Sequence, residues 1–432
     1  MNRKEIAEYA LESLKKGGAD KAACVVTRGR KEEFNVNAGS FSLLRTLFND
    51  ELSLKALCGN RKGVTVINKL DMDSIDRAIA DCISLAKSSN PDEAEDIAEM
   101  AVNKNFDQST GTADLDGLFS RSKEFLELTC EKYPRLNLEE MTSDFNTAQI
   151  TYLNSNGVEF NDSKDYYNMS TMFSASEGEK SSSFNGYFAA FKSPDKPLID
   201  MGMHRTLIDE SVKSLDTRMF DEKFVGKIIV TPACDDMIWG TLFSCFLSER
   251  PLVEGTSRWK DALGTQVADP KLTMRLVPLH PGIIAGERFT SDGYESQNTD
   301  VIRAGILSSF ALSLYGSRKT GHPRTGNTAF ENIEVAAGET PLADMIKSID
   351  RGILLNRFSG AMPGPSGDIS GVAKNSFMIE NGKVTDALSE TMVSFNIVDI
   401  LKNIPAISKE RCENGTTILP WCCFDGITIS GS

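Results

Sequence analysis

Histidine is scarce in this 432-residue chain: His204, His280 and His322 are all there are. No two fall within one helical turn, which excludes the paired imidazoles that hold zinc on a single helix. No apolar run approaches the roughly 18–20 residues a membrane helix needs. Residues Met1-Asn2-Arg3-Lys4-Glu5-Ile6 open an amphipathic segment containing acids, not the unbroken apolar stretch of a secretory leader. The expectation is a cytoplasmic protein without membrane contact. No GxxxxGK[ST] phosphate loop, GxGxxG fingerprint or GxSxG elbow is present, and no cofactor is expected.

Positive charge is also in short supply, with 47 Lys and Arg against 61 Asp and Glu and a net charge of −14. Duplex binding requires clustered cations to neutralise phosphates. The basic runs Arg28-Gly29-Arg30-Lys31, Arg61-Lys62 and Arg318-Lys319 are islands in an acidic chain, which argues against direct nucleic-acid contact. The nine cysteines include seven scattered singly and the Cys422-Cys423 pair, whose spacing suits neither zinc nor redox chemistry. They read as reduced, buried thiols.

What remains is ordinary globular material, 40% hydrophobic and 25% charged, long enough for two or more domains. The expected class is α+β. Residues 4–16 read as a helix stopped by Gly17-Gly18. Strand-like runs follow at 22–28, 33–37, 41–48, 51–58 and 64–67, then a helix capped by Asp73 or Ser74. The acidic stretch from Ser88 to Thr112 reads as a linker or surface excursion. A helix over 115–133 leads into an antiparallel meander with Asn156-Gly157 as a hairpin turn and Glu177–Lys180 as another. Such a meander can hold an extended peptide at its edge, although a plain structural sheet accounts for it. From about residue 222 the pattern changes. A buried strand at Lys227–Val230 runs into a helix over 234–248, then strands are expected at 272–277, 301–307, 310–315, 376–380 and 426–430. This divides the chain into an α+β unit at 1–220, itself divisible into 1–100 and 113–220, and a β-rich unit with a few helices at 221–432.

Candidate chemistry is sparse. His204 falls on an expected helix as a surface residue, and His280-Pro281-Gly282 reads as a turn. His322 stands with Arg324 and Asn327 in the glycine-flanked loop Thr320–Asn327, where a ligand can be met. Asp235-Asp236 at a helix start complement the helix dipole. The pairs Ser13/Lys16 and Ser120/Lys123 sit on helices. The loop Gly360–Asp368 reads as a turn or a site wall, and Trp421-Cys422-Cys423-Phe424 as a buried strand.

One series in the second half is more specific than its parts. It runs from Gly255-Thr256-Ser257-Arg258-Trp259 through Leu263-Gly264-Thr265-Gln266-Val267-Ala268-Asp269-Pro270, Phe289-Thr290-Ser291-Asp292-Gly293 and Arg303-Ala304-Gly305-Ile306-Leu307. Thr325-Gly326-Asn327, Gly367-Asp368-Ile369-Ser370-Gly371, Ile379-Glu380-Asn381-Gly382-Lys383-Val384 and Asn396-Ile397-Val398-Asp399-Ile400-Leu401 complete it. In order and spacing the series resembles the PmbA/TldD family, historically called modulators of DNA gyrase. The resemblance implies a division of labour. TldD-type subunits look like metallopeptidases whose HExxxH helix supplies two His ligands and a Glu that activates metal-bound water. PmbA-type (TldE-type) subunits lack that motif and pair with a TldD-type subunit around a shared cavity that admits unfolded peptides, in a family associated with trimming peptide precursors and degrading antitoxins.

Counting back from Gly255, the HExxxH position falls on Gly240 to Cys245, which places Gly240 and Cys245 at the two His positions and Thr241 at the Glu. No histidine exists between His204 and His280, so a shift of register does not restore the motif. The resemblance therefore implies a PmbA/TldE-type chain without catalytic or metal-binding residues of its own, paired with a metal-bearing TldD-type subunit or forming a homodimer. His322, Arg324, Asn327 and Asp368 are candidate cavity-lining residues. Two other readings remain open at this point. One is an autonomous thiol hydrolase using Cys245 with His322 as base; the other is a modulator of gyrase acting by protein contact.

Overall fold

The computed structural model describes residues 1–234, 236–361 and 363–431, the side chain of Asp236 excepted. Helix α1 (Arg3–Lys16) begins with a capping box, in which Glu5 N–H donates to Asn2 Oδ1 at 2.9 Å and Asn2 N–H to Glu5 Oε2 at 2.8 Å. Ile6, Ala7, Ala10 and Leu14 lie on its buried face. The four strands expected next are two, β1 (Lys21–Asn37) and β2 (Ser40–Cys58), joined at Ala38-Gly39, where φ is +48° and +73°. The polar stretch Arg28–Lys31 reads as a break but is held as strand, because β1 is paired on both sides along it. β3 (Arg61–Ile67) follows, then α2 (Met72–Ser88), whose cap is Asp71, two residues before the expected one, accepting from Ser74 N–H.

The stretch from Ser88 to Thr112 runs largely at the surface, as one of the two expectations had it, but it is not a plain linker. It contains β4 (Asn103–Gln108), parallel to β6 (Glu159–Glu177). It also buries Glu95 and Asp96, which pair with lysines and an arginine: Glu95 with Lys55 at 2.9 Å and with Lys62, Asp96 with Lys21 and Arg318 at 2.6 Å each. Charged partners brought from other elements make burial of an acidic segment affordable. Helix α3 (Leu115–Lys132) and strand β5 (Leu136–Asn154) precede β6, with Gly157 at φ +91° in the expected turn. β7 (Lys180–Ser181), β8 (Asn185–Phe191) and α4 (His204–Lys213) complete this half. Its sheet has the order β3-β2-β1-β5-β6-β4, with β8 on β6. Helices α1 and α2 pack against one end of this sheet, and α3 and α4 against the other.

The second sheet begins with β9 (Thr217–Arg218) and β10 (Lys223–Val230). Its backbone is the long last strand, Ile418–Ser430, antiparallel to β10, Thr391–Asn396 and Ala406–Glu413. Trp421-Cys422-Cys423-Phe424 lies within that strand, with Cys422, Cys423 and Phe424 buried. β10 is parallel to Arg351–Leu355 on its other side. The strand expected at 310–315 does not form. Ala311 makes a single bridge to Ser248, and Ser313 caps a helix at Leu314–Thr320 by accepting from Gly316 N–H. The two sheets meet through Phe289, whose ring lies 5.1 Å from Phe160 and 5.9 Å from Tyr152. The result is a mixed two-domain α+β fold.

Candidate functional site

Strand β10 ends at Val230 and the chain turns through a short 3₁₀ segment, Pro232–Cys234, into a helical run. The expected helix over 234–248 is there, but wound as π-helix at Asp236–Gly240 and Phe243–Leu247. π-turns recur at functional sites because the widened turn re-aims side chains. Ile238, Trp239, Leu242, Phe246 and Leu247 anchor the run in the second domain's core. Ser248 ends it with an extended ψ of 162°. Asp235 and the side chain of Asp236, expected to complement this helix start, lie outside the described residues.

The other face of the run opens on a cavity of about 520 Å³. Ala233, Cys234, Met237 and Thr241 contribute from the helix, Asn185 and Gly186 from the start of β8, and the strand Arg357–Gly360 with Ile369 from the second sheet. The cavity therefore lies where the two domains adjoin. Thr241 is buried at 3% exposure; Gly240 is half-buried. Cys245, also half-buried, sets its Sγ 3.6 Å from the carbonyl of Pro363 and 3.9 Å from Ser244 Oγ.

A catalytic divalent metal does not fit this donor set. Gly240 offers no side chain, Thr241 a neutral hydroxyl, and Cys245 a single thiol. Among the described residues no three His, Cys, Asp or Glu side chains converge as a metal site.

The wall is backed by a polar cluster that sequence reasoning missed. Asn356, only 2% exposed, donates from Nδ2 to Glu210 Oε2 at 2.8 Å and to the carbonyl of Asn375 at 2.9 Å. Burial pushes the Glu210 carboxyl up to about 8, against the weaker opposing pull of Lys213; it is therefore largely a neutral acid at pH 7. Asn185 Nδ2 donates to Ser211 Oγ at 3.4 Å, and Asn375 Nδ2 to the carbonyl of Phe184 at 3.1 Å. These carboxamides stitch the start of β8 and helix α4 to the second sheet. The one legible signal was a polar pair, Asn356-Arg357, directly after the apolar strand Ile353-Leu354-Leu355.

The histidines do not converge. His204 is on its helix but fully buried rather than at the surface, with Nδ1–H bonded to the Met201 carbonyl at 2.8 Å and its ring edge-on to Tyr187 at 5.0 Å. Burial depresses its pKa to about 4. His280 sits in the expected turn, its Nδ1 accepting from Gly282 N–H at 3.0 Å. His322 Nε2 bonds the Lys260 carbonyl at 2.9 Å, and its ring packs on Phe310 at 4.9 Å.

Arg324 lies over the Tyr294 ring at 3.7 Å. Asn327 is wholly buried, with Oδ1 accepting from Ala329 N–H at 3.0 Å. Exposed Asp368 accepts from Asn396 Nδ2 at 2.8 Å, and that bond, with one from Ser366, lowers its pKa. None of these four candidates stands in the wall of the cavity described above.

Residues 225–431 match the model of the PmbA/TldA metallopeptidase C-terminal domain. The chain is 28% identical over 170 residues to the metalloprotease PmbA of Escherichia coli O157:H7, a match spanning 37% of each protein. It is 22% identical over 455 aligned positions to the metalloprotease PmbA homolog of Haemophilus influenzae, covering 99% of this chain and 96% of that one. The crystal structure of TldE from Thermococcus kodakarensis superposes with a TM-score of 0.85 at 20% identity, covering 99% of this chain and all of the other. Residues 225–431 thus carry the C-terminal domain of the PmbA/TldD family, and the chain over its full length has the fold of TldE.

Proposed function

We propose that this chain is the non-catalytic partner in a TldD/PmbA-type metallopeptidase complex, acting with a metal-bearing TldD-type subunit on unfolded peptides and shaping the cavity in which they are held. One observation supports the reading: the helical run beside the cavity carries Gly240, Thr241 and Cys245 at the positions the family resemblance equates with HExxxH, no histidine stands between His204 and His280, and these three residues offer no ligand set for a metal. Its similarity to TldE supports the same assignment. In such a complex the exposed Asp368 and the His322–Asn327 loop are the further residues we assign to the shared cavity.

A thiol mechanism lacks support, since a nucleophilic Cys needs a base within hydrogen-bond reach. Cys245 instead contacts Pro363 and Ser244, while His322 is engaged with Lys260.

The test is reconstitution. The purified chain is assayed for bound metal by mass spectrometry and for cleavage of an unstructured peptide, alone and mixed with the TldD-type subunit of its own organism. We expect no stoichiometric metal, no turnover alone, and more cleavage in the mixture than from the TldD-type subunit by itself. Stoichiometric metal with turnover in the isolated chain overturns the proposal, as does a mixture no more active than the TldD-type subunit.

A further inference from the structure

Among the described residues, Arg357 at the cavity wall and Lys374 paired beside it have no acid to answer them. Arg357 and Lys374 stand directly opposite each other on the antiparallel strands Arg357–Gly360 and Asp368–Lys374. Directly paired residues project to the same face, and like charges there are destabilising. Elsewhere in this acidic chain arginines and lysines are commonly matched, as Arg275 is with Asp300 and Arg411 with Glu334. Among the described residues neither Arg357 nor Lys374 forms an ion pair or a side-chain hydrogen bond. Arg357 is exposed and lines the cavity; Lys374 is half-buried beside it.

The rest of the wall suits an anion with an apolar body. No acidic side chain lines the cavity among the described residues, and its floor includes Met237 and Ile369, both largely buried. Behind Asn356, Glu210 is held largely neutral, so it opposes an incoming anion little. A guanidinium fork matches a carboxylate in two parallel hydrogen bonds. Among the described residues the strand Arg357–Gly360 is paired on one side only, by Asp368–Lys374. Its other edge leaves backbone N–H and C=O groups open to an extended chain.

We infer that this cavity recognises the free C-terminal carboxylate of a peptide, gripped by Arg357 and Lys374, with an apolar last side chain on the Met237–Ile369 floor and the peptide backbone along the Arg357–Gly360 edge. The inference rests on the peptide-handling role proposed above and adds to it a polarity: chains enter this pocket by their C-terminal end. The carboxylate relieves the repulsion between the two cations, so the site selects a chain terminus and, through its floor, an apolar last residue.

The experiment compares one short, unstructured, N-terminally fluorescein-labelled peptide ending in leucine in two forms, free acid and C-terminal amide. Binding to the full chain, and to its complex with the TldD-type subunit, is followed by fluorescence anisotropy. We expect the acid to bind at least tenfold more tightly than the amide. Arg357→Gln should bring the two forms within twofold by weakening only the acid, and Lys374→Gln should narrow the gap less. Both residues are away from the packed core, and circular dichroism confirms that the variants fold. Equal binding of acid and amide to the wild type overturns the inference and leaves the peptide-handling role standing. So does an acid preference that survives Arg357→Gln, or an amidated peptide with an internal glutamate that binds as tightly as the free acid. Absence of binding by either form, to chain and complex alike, overturns both.

Discussion

Glu210 offers the most direct test of the reasoning behind the site. Its carboxyl is raised to about 8 in the folded chain, from an ordinary value of 4.5, chiefly by burial. The unfolded chain therefore releases this proton first as the pH climbs. Stability tied to Glu210 is fully present below about pH 4.5 and is lost as the pH rises through the folded value near 8. At pH 7 the interval is 2.5 units, or about 3 kcal/mol at about 1.36 kcal/mol per unit. Because the side chain is only half-buried, solvent screening reduces this to about 1–3 kcal/mol. Glu210→Gln removes the proton equilibrium while keeping an acceptor for the Asn356 amide, bonded at 2.8 Å in the native chain. The variant should be as stable as the wild type at pH 4.5, more stable by about 1–3 kcal/mol at pH 7, and flatter between pH 5 and 8. Urea denaturation followed by tryptophan fluorescence across that range measures the difference. Parallel curves for variant and wild type would show that the carboxyl is ionised in the native state and refute the picture of a neutral acid behind the cavity.

Three further expectations concern the frame around the site. His204, fully buried with its pKa depressed to about 4, stays neutral while the unfolded chain takes up a proton. Its contribution is intact above about pH 6.5 and is lost as the pH falls toward 4, about 3 kcal/mol in all; urea midpoints for wild type and His204→Gln should converge as the pH drops through this window. Gly63→Ala should cost about 3 kcal/mol or more, because a Cβ there would lie 2.0 Å from the Cys82 carbonyl and 2.6 Å from Ala86 N, both backbone of α2; a denaturation midpoint unchanged from wild type would contradict this packing. Iodoacetamide under native conditions should label exposed Cys130 and spare buried Cys24 and Cys423, whose thiols are each pushed up to about 12; peptide mass mapping reads the result.

Elements announced by adjacent residues were legible. The capped helix α1, the helix α3 and the Asn156-Gly157 hairpin follow from caps, periodicity and turn chemistry within a few residues. Elements needing a distant partner were not. β4 is a polar hexapeptide that becomes strand only because β6 lies beside it. Arg28–Lys31 stays extended because two neighbours pair with it. The apolar residues at 310–312 suggested strand, yet Ser313, bonded to Glu249 through its own amide at 3.0 Å, starts a helix. His204 looked like a surface residue because neither Tyr187 nor Phe125, the rings enclosing it, is near it in sequence.

The amino-acid sequence by itself determined two things here. The order of motifs between Gly255 and Leu401 marked the family, and the lack of any histidine between His204 and His280 meant that no change of alignment could rebuild an HExxxH motif. Absence of a residue type is independent of folding, so it can be read without a structure. The cavity was decided only in three dimensions. Asn185, Thr241 and Arg357 come from three separate stretches of chain, and the pair Arg357 and Lys374, unmatched among the described residues, exists because strand register sets them opposite each other. Charge complementarity and burial are properties of neighbours in space, and here those neighbours are set by sheet pairing and by the packing of one domain on the other.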